Sequence, residues 1–348
     1  MATVGLLYNL GKYDPPEEGE PPDINAELDG ESTVVAIAEA LRWGGHDVVF
    51  IEGNEDAYFR LKNTKIDIAF NICEGLRGES RESQIPAILE MLGIPYTGSG
   101  VLTLAISLDK PVAKKVFAYH GIPTPKFRVF DLNDEPATDG LSFPLFVKPA
   151  HEGSSMGVSP SSIVHDETEL RCQVDYVRRF YRQPVLVEEF LDGREFTVGI
   201  VGNRDPFVLP IREIIYEHVP EDHGRVYSRQ FKTEFDNEEV FYACPADVGA
   251  EEAAAIRSTA LRAFYALDCK DVGRVDLRMD REGRPNVLEV NPLPGLAPGF
   301  SDLCRACEAA GLTYNWLVTS ILEAALERYG LTHLSSKAAQ AGLLLQTA

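Results

Sequence analysis

In "GRVDLRMDREGRPNVLEVNPLPG", residues 273–295, Arg274, Asp276, Glu289 and Asn291 alternate with apolar residues. Two carboxylates and a carboxamide are oxygen donors of the kind a hard divalent cation takes, and Mg2+ sites usually combine one or two carboxylates with substrate phosphates. The alternation has the period of a half-buried strand, and the "DREGRP" between the two runs is rich in turn formers, so the segment reads as a hairpin. With the turn centred on Glu282-Gly283, the register sets Asp276 opposite Glu289 and Arg274 opposite Asn291, all on one face. Two carboxylates placed opposite each other repel, and a cation such as Mg2+ removes that cost. The alternative is a surface ion-pair ladder with Arg274, Arg278 and Arg284, and the segment alone leaves both readings open.

Three further stretches carry candidate chemistry. "VKPAHEGSSMGVS" sets Lys148 at a strand end before a loop of glycines and serines, whose backbone amides can approach phosphate oxygens. No GKS or GKT follows, so it is not a Walker loop, and a plain Gly-Ser turn is the alternative. "LVEEFLDGREFTVGI" reads as strand, turn and strand; Glu188, Glu189 and Glu195 are placed to accept from a ribose hydroxyl or an amino group, and the backbone around Phe190 and Leu191 to read an adenine edge. Solvated edge-strand charges are the competing reading. "HGRVYSRQFKTEF" offers Tyr227 and Lys232 in a polar stretch suited to a loop that closes over a site. The seven histidines are scattered and assemble no Ser-His-Asp or Cys-His arrangement, which disfavours a covalent nucleophile.

These residues need scaffolding, and the rest of the chain supplies it. At 348 residues the chain is long enough for two or three domains. A formal net charge of −21 argues against a duplex nucleic-acid partner. No apolar run approaches a membrane span and the N-terminus turns acidic, so a cytoplasmic protein is expected. The six cysteines suit buried thiols better than a disulfide framework, and "CRAC" at Cys304–Cys307 suits helix packing better than zinc. "ATVGLLYNL", "HDVVFIEG" and "IDIAFNICEG" read as strands alternating with helices, the first helix running through "STVVAIAEALRWGG" with Ser32 as its N-cap; this predicts a parallel α/β domain. The acidic stretch 13–30 reads as a long exposed loop. A helix is expected to kink or restart at Pro111, and the tail 331–348 has no clear core role.

The order of five blocks gives the pattern its specificity. "EMLGIPYTGSGVLTLAISLDK", "FPLFVKPAHEGSSMGVS", "VLVEEFLDGREFTVGI", "CPADVGAEE" and the hairpin resemble, in order and separation, the D-alanine-D-alanine ligases of the ATP-grasp superfamily. The resemblance implies an ATP-grasp fold, α/β and α+β: an N-terminal parallel α/β substrate domain (1–108), a small domain (109–187) and a C-terminal domain (188–330) that clamp ATP, and the tail. It implies ATP held by Lys110, Lys148, Glu188 and Glu195 with Glu189, Phe190 and Leu191 as the adenine hinge. It implies Mg2+, or Mn2+ in its place, on Asp276, Glu289 and Asn291. Arg274 and the Gly295 amide match groups that stabilise a tetrahedral intermediate; Ser154 matches a serine of the glycine loop, and Tyr227 and Lys232 the closing loop. The implied reaction forms an acyl phosphate and then an amide, as in peptidoglycan precursor synthesis, from small amino acids, in a homodimer.

The departures lie where substrates bind. Where the family usually has His-Gly, this chain has Glu74-Gly75, with Arg77 and Arg81 downstream as offsets to the charge. Pro292 follows Asn291 where a small hydroxyl residue is usual; Ser301 matches the second substrate's serine only with a one-residue insertion, and Glu31 is the candidate for the family's N-terminal glutamate. A ligase for other carboxylate and amine substrates is therefore the close alternative. A nucleotide-binding regulator without turnover is the other.

Overall fold

A computed structural model describes residues 1–11, 20–138, 140–220, 223–235 and 237–335. The apolar strands β1 (Thr3–Tyr8), β2 (Asp47–Glu52) and β3 (Ile68–Asn71) form a parallel sheet in the order β2-β1-β3. Helices α1 (Glu31–Trp43), α2 (Ala57–Asn63) and α3 (Gln84–Leu92) cover it. Gly30, not Ser32, is the N-cap of α1, because its extended backbone lets its carbonyl accept from the amides of Thr33 and Val34. Helix α4 (Val101–Leu108) is followed at once by α5 (Lys110–Tyr119), with Pro111 in the first turn, where its missing N–H costs nothing, and the Asp109 side chain capping Val112 N.

The second sheet is antiparallel, in the order β4-β7-β5-β6, from β4 (Phe127–Phe130), β5 (Leu145–Pro149), β6 (Ile163–Val164) and β7 (Val185–Glu189). Helix α6 (Glu167–Tyr181) packs Leu170, Val174 and Val177 onto it. The third sheet joins β8 (Glu195–Val201), β9 (Phe207–Val208), β10 (Arg212–Ile214), β11 (Tyr242–Ala243), β12 (Val272–Met279) and β13 (Pro285–Asn291). Helices α7 (Arg229–Glu234), α8 (Glu238–Phe241) and α9 (Ala250–Ala266) lie between its strands in sequence; α10 (Asp302–Ala309) and α11 (Tyr314–Arg328) follow. Thus β7 and β8, only five residues apart, belong to different sheets, and the short link between them crosses from one sheet to the other.

Several expectations are corrected. Residues 21–30 are not a free loop: most are half-buried, and Asp23 accepts from the Tyr181 hydroxyl at 2.7 Å and the Gly157 amide at 2.9 Å. Residues 13–19 of that stretch and 336–348 of the tail lie outside the described residues. Cys172 is exposed and Cys244 half-buried, whereas Cys73, Cys269, Cys304 and Cys307 are buried; all six are free thiols. Among the described residues no helix is long and apolar enough to cross a membrane.

Candidate active site

The hairpin β12-β13 pairs Arg274 with Asn291 and Asp276 with Glu289, as the alternation predicts, but by a route the alternation does not predict. Next to the turn, Met279 faces Pro285 and Leu277 faces Val287, one residue out of that register; a bulge at Leu288 restores it. Consequently Leu288 and Glu289, although adjacent, both line one cavity. The signal was present in the apolar doublet Val287-Leu288, which breaks the period-two pattern.

Three more elements converge on that cavity beside the hairpin. Lys110 and Lys114 lie one turn apart on α5, Lys148 on β5 and Glu188 at the end of β7. The Glu188 carboxylate sits between two ammoniums, Lys114 Nζ at 2.6 Å and Lys148 Nζ at 2.8 Å, all three buried. Against the upward push of burial, Lys114 and then Lys148 hold Glu188 below the usual carboxylate range. This buried pairing replaces the solvated-edge reading of Glu188. Lys114 was missed, although its four-residue spacing from Lys110 puts both on one helix face.

Lys110 Nζ reaches Glu289 at 3.1 Å, and Arg274 makes two bonds to Asp276, from Nε at 3.0 Å and Nη2 at 2.8 Å. Thr197 donates to the same carboxylate at 2.6 Å. Burial raises Glu289, but Lys110, Lys148 and Arg274 outweigh it and keep the group ionised well below its ordinary range. Among the described residues no three His, Cys, Asp or Glu side chains gather as a metal cage. Two facing carboxylates and Asn291 next along the strand nevertheless fit Mg2+, an ion that takes its other ligands from phosphates and water.

The apolar end of the cavity is built by Phe146, Met156, Phe190 and Leu288. Phe190 stacks near Phe146 with ring centroids 6.3 Å apart, and the Arg278 guanidinium lies 4.6 Å from the Phe190 ring centre while bonding Glu195 at 3.0 Å. Glu195 also accepts from Tyr216 at 2.7 Å, so two partners already hold it. Glu189 and Leu191 line the same end. The Phe190 amide is committed to the Pro144 carbonyl at 3.0 Å, whereas the Leu191 amide has no backbone partner among the described residues.

Two loops close over this cavity and touch each other. Ser155 donates to the Tyr227 carbonyl at 2.9 Å and accepts from Lys232 Nζ at 3.1 Å, and Lys232 lies 4.4 Å over the Tyr227 ring. Ser154 and Ser155 both have left-handed φ, 46° and 60°, a strained pair of the kind found at ligand clamps. Burial and then Arg274 lower the Lys232 pKa.

Arg274, Tyr227 and Lys232 are shared with a second cavity of about 420 Å3, which Ser154, Glu74, Asn291, Gly295 and Ser301 also line. Ser301 is brought against Gly295, where a Cβ would lie 2.9 Å from its hydroxyl. Asp302, not singled out in the sequence, accepts from Tyr227 at 2.8 Å and Arg212 at 3.1 Å and lies 4.0 Å from Arg274. Two expected residues do not arrive. Glu31 remains exposed in the first turn of α1, and Glu27 takes the place in the cavity wall, because residues 21–30 fold inward. Arg77 is exposed, whereas Arg81 bonds Glu27 at 2.6 Å and Glu152 at 2.9 Å.

Two antiparallel sheets closing on a lysine-rich cavity floored by facing carboxylates define an ATP-grasp ligase, an ATP-dependent, ADP-forming enzyme. Residues 116–323 match the family model described as D-ala D-ala ligase C-terminus. The D-alanine-D-alanine ligase of Bordetella pertussis is 36% identical over 289 residues, covering 82% of this chain and 87% of that protein. A Sinorhizobium fredii protein called y4sG is 35% identical over 338 residues, 94% of this chain and 95% of its own. The crystal structure of Bacillus anthracis D-alanine-D-alanine ligase complexed with ATP superposes with a TM-score of 0.72 at 27% identity, covering 94% of this chain and 98% of that one. The chain belongs to the D-alanine-D-alanine ligase family.

Proposed function

We propose that this protein is a Mg2+- and ATP-dependent carboxylate-amine ligase whose family reaction joins two D-alanine molecules, as in peptidoglycan precursor synthesis. The observation that carries the reading is the shared wall: Arg274, Tyr227 and Lys232 face both the lysine-lined cavity and the second one, so a phosphoryl donor and an acceptor carboxylate meet beside one guanidinium. Lys110 and Lys148 neutralise phosphate charge, Phe190 and Leu288 enclose the base, and the Leu191 amide reads its edge. Mg2+ on Asp276, Glu289 and Asn291 supplies further neutralisation of phosphate oxygens. A carboxylate oxygen attacks the terminal phosphorus and ADP leaves; an amine nitrogen then attacks the acyl carbon, phosphate leaves and the nitrogen loses a proton. Arg274 and the Gly295 amide oppose the charge that develops on the tetrahedral oxygen. The two loops joined through Ser155 exclude water from the acyl phosphate.

The reading includes lobes 1–108, 109–187 and 188–330, a cytoplasmic location and a homodimer. A second reading, ligation of other amino acids, is favoured by Glu74 in the second cavity, since an acid there suits a different substrate charge. Phosphate release from ATP and Mg2+ with D-alanine, alongside a panel of amino acids, tests both. Dipeptide detected by mass spectrometry is the expected result, and ATP binding without release on any substrate would sink the ligase reading.

A further inference from the structure

One wall of the second cavity is not used by the ligation chemistry. Gly75 has φ of +85°, and a Cβ there would meet the Arg81 carbonyl oxygen at 2.0 Å, so the loop after β3 can fold flat onto the turn Arg81–Ser83. That contact gathers Glu74 and Glu82 with Glu27 along the wall. The facing guanidinium, Arg81, is already spent: it pairs with Glu27 and Glu152, and Glu27 accepts a further bond from the Gly153 amide at 2.7 Å. Glu82 is 6% exposed, yet its carboxyl accepts no hydrogen bond among the described residues and faces the cavity. The Glu74 carboxyl also has no hydrogen-bond donor among them. Burial, followed by the Glu27 charge, pushes Glu82 up to about 8, and burial followed by Glu82 raises Glu74; the opposing pull of Arg81 on both, and of Lys110 on Glu82, is outweighed.

We propose that Glu74 and Glu82 form a cation subsite, so that this enzyme binds an amino acid carrying a second ammonium group more tightly than a neutral amino acid of the same size. The inference rests on the ligase reading for the identity of the cavity as a substrate site. A neutral amino acid brings one ammonium; two acids on one wall, which give up their protons when a cation comes to lie beside them, accept two. D-Alanine remains a substrate, and the added ammonium supplies the charge that the wall lacks.

The test is calorimetric titration of the full-length protein, saturated with ADP and Mg2+, with D-2,3-diaminopropionate, D-2-aminobutyrate and D-alanine at about pH 6, low enough to keep both amines of diaminopropionate largely protonated against their mutual repulsion, run beside phosphate release from ATP. Diaminopropionate is expected to bind at least tenfold tighter than aminobutyrate, and Glu82→Gln to erase that preference with the KM for ATP unchanged. Glu74→Gln gives the same readout independently, should the first variant fail to fold. Equal binding of the two acids, or a preference that survives both substitutions, overturns the proposal. So does a Glu82→Gln variant that changes only the Mg2+ requirement, which would assign Glu82 to the metal. Selective binding of diaminopropionate without phosphate release from any amino acid would keep the cation subsite and remove the ligase reading. Release with D-alanine but no discrimination would do the reverse.

Discussion

The two cavities share Arg274, Tyr227 and Lys232, yet they differ in how completely their acids are paired. In the lysine-lined cavity every functional carboxylate meets a cation: Glu188 has Lys114 and Lys148, Glu289 has Lys110, Asp276 has Arg274 and Glu195 has Arg278. Lys110 can turn to an incoming phosphate while a metal takes over Glu289, and Glu188 keeps Lys114 when Lys148 does the same, so no charge is stranded as the ligand enters. In the second cavity Asp302 and Glu27 are paired with arginines, but Glu74 and Glu82 accept no hydrogen bond among the described residues. Its charge is completed from outside, which ties its affinity to the charge of the substrate.

Removing the metal should have the largest effect, because the facing Asp276 and Glu289 then lose their link to phosphate. Chelation is expected to abolish phosphate release, and Mg2+ or Mn2+ to restore it; full activity in chelator would break the assignment of the hairpin. Arg274→Ala strikes the shared wall and is expected to lower kcat by roughly 100- to 1,000-fold with a smaller change in the KM for ATP. Steady-state kinetics with both substrates varied reads that split.

Lys114→Met separates the cavities. It leaves Glu188 with one cation in a buried position, at a cost of about 3 to 5 kcal/mol in folding stability, and should raise the KM for ATP while sparing amino-acid binding. Denaturant unfolding and kinetics check it, and an unchanged stability would show that Lys148 alone suffices. Gly75→Ala works on the other side. Its positive φ and the contact with the Arg81 carbonyl predict a loss of about 1 to 3 kcal/mol and weakened amino-acid binding, with ATP binding retained.

The smallest effect is a dependence on pH. Glu82, facing Glu27, Glu74, Arg81, Lys110 and Glu289, is raised from the ordinary glutamate value to about 8. A raised folded value means the native state keeps a proton that the unfolded chain releases, so this stabilisation is full at low pH and is lost as pH rises through about 8. Glu82→Gln cannot ionise and should gain on the parent between about pH 5 and about pH 8.5, by at most roughly 1.4 kcal/mol for each tenfold difference in proton affinity between the folded and unfolded chains. Unfolding curves at the two pH values measure it, and a constant difference would show that Glu82 has a counter-ion in solution.

Legibility in the sequence followed the range of the interaction. The hairpin, the break between α4 and α5 at Pro111 and the buried "CRAC" pair were readable, because period-two alternation, a proline's missing N–H and helix spacing act over a few residues. The pairing of Asp276 with Glu289 was legible as well, although the bulge that preserves it was passed over. Lys114, Asp302 and Glu27 were not found. Each is an ordinary charged residue whose importance comes from a partner far along the chain: Glu188, Tyr227 and Arg81.

What the sequence determined by itself is the inventory: the strands and helices, the family, and Lys110, Lys148, Asp276, Glu289 and Asn291, whose types and local spacing already state their chemistry. Tertiary structure decided which charges are paired. It set Glu188 between two lysines, brought Glu27 rather than Glu31 to Arg81, left Arg77 in solvent and Glu82 buried with no hydrogen-bond donor among the described residues. The reason is physical: a carboxylate's state depends on the burial and the cations around it, and both are fixed only when distant segments close on one another.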